Sequence, residues 1–296
     1  MTTATAPAAT AQAPTLGTVR RRKQTSASKF FTVLTWVLGI LFFIPVAWML
    51  LTSLHSEQNA ATNPPSLFAP LTGAGYKEFF GASSGASPWP PLINSATASI
   101  GATILVLILA IPAAYALSIK PVRKWSDVMF FFLSTKMLPA IAGLLPIYLI
   151  AQNLGLLDNI SLMVVLYTSL NLPIAVWMMR SFLAEIPIAI LEAATIDGAG
   201  LLMTFRRIII PMSAPGIAAT SLICFIFSWN EMLFARVLTG VRSNTAPVFL
   251  TSFVTSQGLF LAKVCAAAMA VSLPVLIAGF AAQDKLVQGL SLGAVK

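Results

Sequence analysis

Glu192 and Asp197 flank a run of small residues, Glu192-Ala193-Ala194-Thr195-Ile196-Asp197-Gly198-Ala199-Gly200, with Arg206, Arg207 and Ile210-Pro211 following. The two carboxylates present negative charge at either end of a slim stretch, where another protein could dock. Ala193 and Ala194 keep the segment slim enough to enter a groove on another protein. Arg206 and Arg207 can reach lipid phosphates or acidic partner residues. The competing reading is a helix lying passively on lipid headgroups. A second set of polar residues, Lys136, Asn171, Trp229, Asn230 and Glu231, falls within or beside long apolar stretches. Each intramembrane charge costs about 2.5–3.5 kcal/mol near the bilayer centre and needs a partner, water or an escape route.

The elements that carry these residues are set by composition. The chain has 57% hydrophobic and 9% charged residues, with a mean hydropathy of +0.86, which places it outside the soluble globular class. A hydrocarbon core needs roughly 20 apolar residues to cross as a helix. Six stretches meet that need: Phe30 to Leu54, Leu92 to Ile119, Val128 to Ala151, Asn159 to Met179, Ala214 to Ala235 and Val264 to Ala282. The fold class expected is an all-α integral membrane protein, a six-transmembrane-helix bundle. Lys136 then lies about 12 Å into the third span, from where its stem either snorkels back or lines a pathway. Glu231 lies roughly 25 Å along the fifth span, near the far interface. Trp229 and Asn230 beside it can stack on and hydrogen-bond a sugar-like solute, although a tryptophan there also serves as a plain anchor.

The net charge of +9 encodes orientation, not nucleic-acid binding. With the amino terminus inside, the cytoplasmic side receives Arg20 to Lys23, Lys29, Lys120, Arg123, Lys124, Arg180, Arg206, Arg207, Lys285 and Lys296. The outside receives only Lys77, Arg236 and Arg242. That asymmetry places both termini in the cytoplasm. Residues 1–29, rich in Ala, Thr, Pro and Ser and ending in basic residues, read as a disordered cytoplasmic tail. A signal peptide is disfavoured, because its apolar core is shorter than the run that starts at Phe30. Cys224 and Cys265 fall within spans and read as packing residues, not as a disulfide or metal site. The lone His55 reads as an ordinary exposed side chain beyond the first span.

The segment 55–91 is the longest loop. Asn63-Pro64-Pro65 and Pro88-Trp89-Pro90-Pro91 mark turns, and Tyr76 to Phe80 can form one short helix. Pro45, Pro112, Pro139, Pro146, Pro173 and Pro274 lie within the spans, which implies bent or broken helices. In the charged insert, Ile186-Pro187 fits a helix start and Gly198 fits a left-handed helix end. A second short helix is expected over about Leu201 to Ile210, stopping before Pro211.

Glu192-Ala193-Ala194, followed by Asp197-Gly198-Ala199 and later by Pro211, resembles the EAA loop of membrane subunits in bacterial ATP-binding-cassette importers. Trp229-Asn230-Glu231 and the ending from Gly289 to Lys296 are similar to carbohydrate permeases of the maltose-system type. Lys136-Met137-Leu138-Pro139, Asn171-Leu172-Pro173-Ile174 and Gly258 to Lys263 look like sorbitol/mannitol-type permeases. Ile210-Pro211 stands where leucine often precedes the proline. The resemblance implies a fold of the type I ABC importer permease kind over residues 30–296. It also implies an extracytoplasmic loop at 55–91 and a cytoplasmic coupling loop at 185–213, in a bacterial inner membrane.

The resemblance further implies a mechanism in which the loop enters a cleft on an ATPase subunit. Glu192 would pair with a basic residue there, Ala193 and Ala194 would line the contact, and Gly198 would give the turn. Asp197, Ala199, Gly200, Arg206 and Pro211 complete the coupling element. Expected partners are a second permease subunit, two ATPase subunits holding ATP and Mg, and an extracytoplasmic solute-binding protein. This chain itself should hold no cofactor or metal and catalyse nothing, since it lacks a Gly-x-x-x-x-Gly-Lys-Ser/Thr loop and any paired acid/base set. An ion- or proton-coupled secondary carrier is the alternative. It would need coupling carboxylates deep in the bundle, and Glu231 alone is a poor candidate.

Overall fold

The computed structural model describes residues 26–62, 68–81, 87–119, 122–255 and 258–294. The basic cluster Arg20 to Lys23, the Asn63-Pro64-Pro65 turn, Lys120 and Lys296 lie outside them. The chain divides into two compact units, residues 1–47 and 48–296. The described part of the first unit is the body of α1 (Ser26–Ser53), which is helical from Ser26 and continues through Pro45.

The protein is an all-helical membrane protein. Four helices are long and apolar enough to cross a bilayer: α1, α4 (Trp89–Ser118), α7 (Ile160–Leu183) and the first 24 residues of α14 (Leu261–Ala294). Two bent pairs bring the number to six if each counts as one crossing. The first pair is α5 (Trp125–Thr135) with α6 (Ala140–Asn153), bent by 84°. The expected single span from Val128 to Ala151 is therefore two half-helices. Pro139 has no N–H to donate, and it biases Leu138 away from helical backbone. The second pair joins Leu201–Met212 to α11 (Ala214–Trp229) at 77°. α11 stops at Trp229, short of the expected Ala235, and α12 (Leu233–Leu238) restarts after a three-residue break.

Between α1 and α4 lie α2 (Glu57–Ala60) and α3 (Ala74–Phe80), so the short helix expected at Tyr76 to Phe80 is present. After α12 come α13 (Ala246–Leu250) and a two-residue hairpin, Val254–Thr255 with Gly258–Leu259.

Among the described residues the most extensively packed helix pair is α4 with α7. The buried positions of α4, from Ser95 through Ala98, Ala102, Val106, Ala110 and Ala114 to Leu117, recur every three or four residues and are mostly small. Small side chains let two backbones approach, which is how helices gain packing energy in lipid. At one end of this pair, Leu117, Met179 and Leu183 pack with Met129, Leu191 and Ile209. At the other end, Ala98, Met163 and Tyr167 pack with Ala151, Phe234 and Leu238. Gly216 in α11 lies so close to the Phe182 ring that any Cβ there would overlap it.

Two carboxylates act as clamps that the sequence did not disclose. Asp158, held at φ 54°, accepts from the N–H groups of Gly240, Arg242 and Ser243 and from Ser243 Oγ at 2.7–3.1 Å. Partial burial pushes its pKa up, but these four donors outweigh it and hold the carboxyl down at about 2. Glu57 accepts from the N–H groups of Ala262 and Lys263 at the start of α14. The ammonium of Lys263 in turn bridges to Glu78 in α3 at 2.5 Å.

His55 departs from expectation. It is buried, 3% exposed, among Trp48, Thr52, Asn59, Leu261 and Cys265. The loop folds back through α2 onto the start of α14, and that long-range packing covers the ring.

Candidate functional site

The charged insert forms a helical elbow after α7. α8 (Ile188–Ile196) begins at the residue after Pro187. It ends in the left-handed conformation expected at Gly198, φ +78°. The Ala199 N–H caps it by donating to the Ala194 carbonyl at 2.9 Å, closing the wide turn that glycine permits.

The second arm differs from expectation. Helix α9 (Leu201–Thr204) runs through a π-helical turn, Phe205–Ile209, into α10 (Ile210–Met212), so Pro211 does not stop it. A proline ring normally collides with the carbonyl four residues back, here Arg207. That residue lies in the widened turn, where bonding spans five residues and the collision is relieved.

Glu192, Ala193, Asp197, Gly198 and Gly200 are exposed, as are Arg206 and Pro211, while Ala199 is half-buried. Ala194 is buried against its own chain, because it faces inward with Leu191. A partner therefore cannot reach it as it can reach Ala193. The elbow also presents apolar side chains that the sequence reading passed over: Ile196 and Leu202 are 85% and 83% exposed, with Leu201 beside them. Their position on either side of the Gly198 turn was the available signal.

The intramembrane polar residues come together around a cavity of about 570 Å³. Lys136 and Ala140 approach from the α5–α6 break, Tyr167 and Asn171 from α7, Phe227 and Ser228 from α11. Asn230, Glu231 and Phe234 complete the wall. Lys136 is the C-cap residue just after α5, and its ammonium donates to the Leu170 carbonyl at 2.7 Å. It does not snorkel. Asn171 is buried and uses its amide nitrogen twice, to the Tyr167 carbonyl at 2.9 Å and to Ser228 Oγ at 3.0 Å. Asn230 bonds back to the Ile226 carbonyl.

Glu231 caps α12: Oε1 accepts from the Phe234 N–H at 2.9 Å and Oε2 from the Ala235 N–H at 3.1 Å. Trp229 is not part of this wall. It is 3% exposed, and its indole N–H donates to the Val271 carbonyl of α14, which is the anchoring alternative in a buried form. Tyr167 was missed by sequence, although it stands one helical turn before Asn171 on the same face. Phe227, which is exposed, supplies the aromatic surface that Trp229 was expected to provide.

Residues 15–290 match the family described as binding-protein-dependent transport system inner membrane component. A probable ABC transporter permease of Sinorhizobium fredii is 35% identical over 273 residues, covering 92% of this chain and 97% of that protein. The permease of the diacetylchitobiose uptake system of Streptomyces coelicolor is 29% identical over 266 residues, covering 90% and 95%. The fold is also that of a chain in the crystal structure of a bacterial ABC transporter involved in the import of the acidic polysaccharide alginate. The TM-score is 0.71 at 23% identity, over 88% of this chain and 98% of that one.

Proposed function

This chain belongs to the family of binding-protein-dependent inner-membrane transport components, the non-catalytic permease part of ABC transporters, and we propose that it serves an ATP-driven carbohydrate importer. The solute is a polyol of the sorbitol or mannitol kind or a related sugar. Residues 30–296 form the permease domain and half of the translocation pathway, with both termini cytoplasmic. Its partners are a second permease, two ATPase subunits that carry ATP and Mg, and an extracytoplasmic solute-binding protein.

The observation that carries this reading is the elbow. Carboxylates at Glu192 and Asp197, with bare Ile196, Leu201 and Leu202, form a charged and apolar surface on a turn held by its own cap. Exposed apolar groups rimmed by charge mark protein contact sites. Closure of the ATPases then moves α8 and the α9–α10 arm, and through them α7 and α11. The polyol assignment draws on the Lys136-to-Pro139 and Asn171-to-Ile174 stretches, whose first residues, Lys136 and Asn171, line the cavity. Relatives in the diacetylchitobiose and trehalose systems support a carbohydrate.

Replacement Glu192→Lys tests the coupling role. Uptake should fall to background while the protein still inserts in the membrane, and co-elution with the ATPase subunits should weaken. Normal uptake by this variant would remove the basis for the assignment. ATPase stimulation of the reconstituted complex by a panel of sugars and alditols identifies the solute.

A further inference from the structure

Lys136 and Glu231 face one cavity as opposite charges that do not pair. Among the described residues the ion pair is Lys263 with Glu78, and neither cavity charge lies within 4 Å of an opposite charge. Each is instead held by backbone. The Lys136 ammonium bonds the Leu170 carbonyl, which leaves two of its three protons undirected. The two Glu231 oxygens each accept one N–H from α12, which leaves a lone pair on each. Backbone anchoring keeps the two charges from collapsing onto each other.

We propose that Lys136 and Glu231 are the two poles that grip the hydroxyls of an electrically neutral polyhydroxylated solute. This rests on the carbohydrate-importer reading above and specifies the solute's charge class. A hydroxyl both donates and accepts, so adjacent hydroxyls can receive from the ammonium and give to the carboxylate at once. The Asn171 and Asn230 side chains line the same wall, and the exposed Phe227 ring offers an apolar surface to the C–H groups of the solute. The two poles sum to zero charge. A solute carrying a fixed charge adds an unbalanced ion between the two poles at membrane depth, where a net charge is penalised. Selection for neutral polyols therefore operates in the pathway as well as in any binding protein.

The test uses the full complex in vesicles. Mannitol, its carboxylate analogue mannonate and its amino analogue 1-amino-1-deoxymannitol serve as probes, with the binding protein's affinity for each measured separately so that uptake is compared at equal saturation. Wild type should move the neutral probe at least about tenfold faster than either charged one, the loss expected for one unmatched charged group. Lys136→Met and Glu231→Gln should each slow mannitol by about tenfold, and Lys136→Arg should restore most of it. Basal ATPase activity and membrane level check that each variant is assembled. If mannitol and related sugars stimulate wild type but the variants transport them normally, or if charged probes pass equally well, this inference fails alone. If no carbohydrate stimulates wild type, the function proposed above fails with it.

Discussion

Asp158→Ala should loosen the junction between the α6–α7 loop and the loop after α12. The carboxylate receives four hydrogen bonds from residues 240–243. The two from Gly240 and Arg242 are exposed, so water replaces the lost acceptor at little cost. The two from Ser243, through N–H and Oγ, are partly buried, and leaving such donors unmatched costs about 1–3 kcal/mol each. With some water entry, the sum expected is about 2–4 kcal/mol.

Asp158→Asn should recover part of this, since one amide oxygen still accepts while the NH₂ group opposes N–H donors. The assay is thermal unfolding of the purified protein in detergent, read by tryptophan fluorescence, with a midpoint several degrees lower for alanine. The pH sign is fixed by the depressed carboxyl. Its contribution is complete above the usual carboxylate value of 3.8 and fades as pH falls toward about 2. Between pH 5 and 8 the difference between wild type and Asp158→Ala should stay constant. An unchanged midpoint for the alanine variant, or a difference that disappears between pH 8 and 6, would refute the clamp.

Gly198→Val places a β-branched side chain at φ +78°, a strain of about 1–2 kcal/mol. ATPase co-elution and uptake should drop together, whereas the level of protein in the membrane should not. Trp229→Phe removes the indole hydrogen bond to Val271. It should lower the thermal midpoint while leaving the apparent affinity for the solute unchanged, and a large affinity change would put Trp229 back on the pathway.

The features that local chemistry determines were legible in the residues. Gly198 announced a left-handed turn because little else tolerates one, and the long uncharged runs announced their own helices. Lys136, Asn171, Asn230 and Glu231 stood out because lipid makes polar groups conspicuous, and they do meet at one cavity. What stayed hidden depends on partners far along the chain. Nothing near Asp158 points to donors more than eighty residues later. Trp229 could not be separated from a stacking residue until Val271 lay beneath it. The burial of His55 depends on residues of α14. Pro211 misled for the opposite reason: the rule that proline ends a helix assumes a regular α-turn behind it, and here that turn is wider.

The lacing of Glu57 and Glu78 to the first turn of α14 has a mechanical consequence. Two short helices, linked through Glu57, 206 residues before Lys263, and through Glu78, are strapped to the head of the longest helical rod among the described residues. Pressing on that segment tips the rod, and tipping the rod drags the segment. A body resting against α2 and α3 therefore has a handle on the far end of α14 without touching the lipid in between.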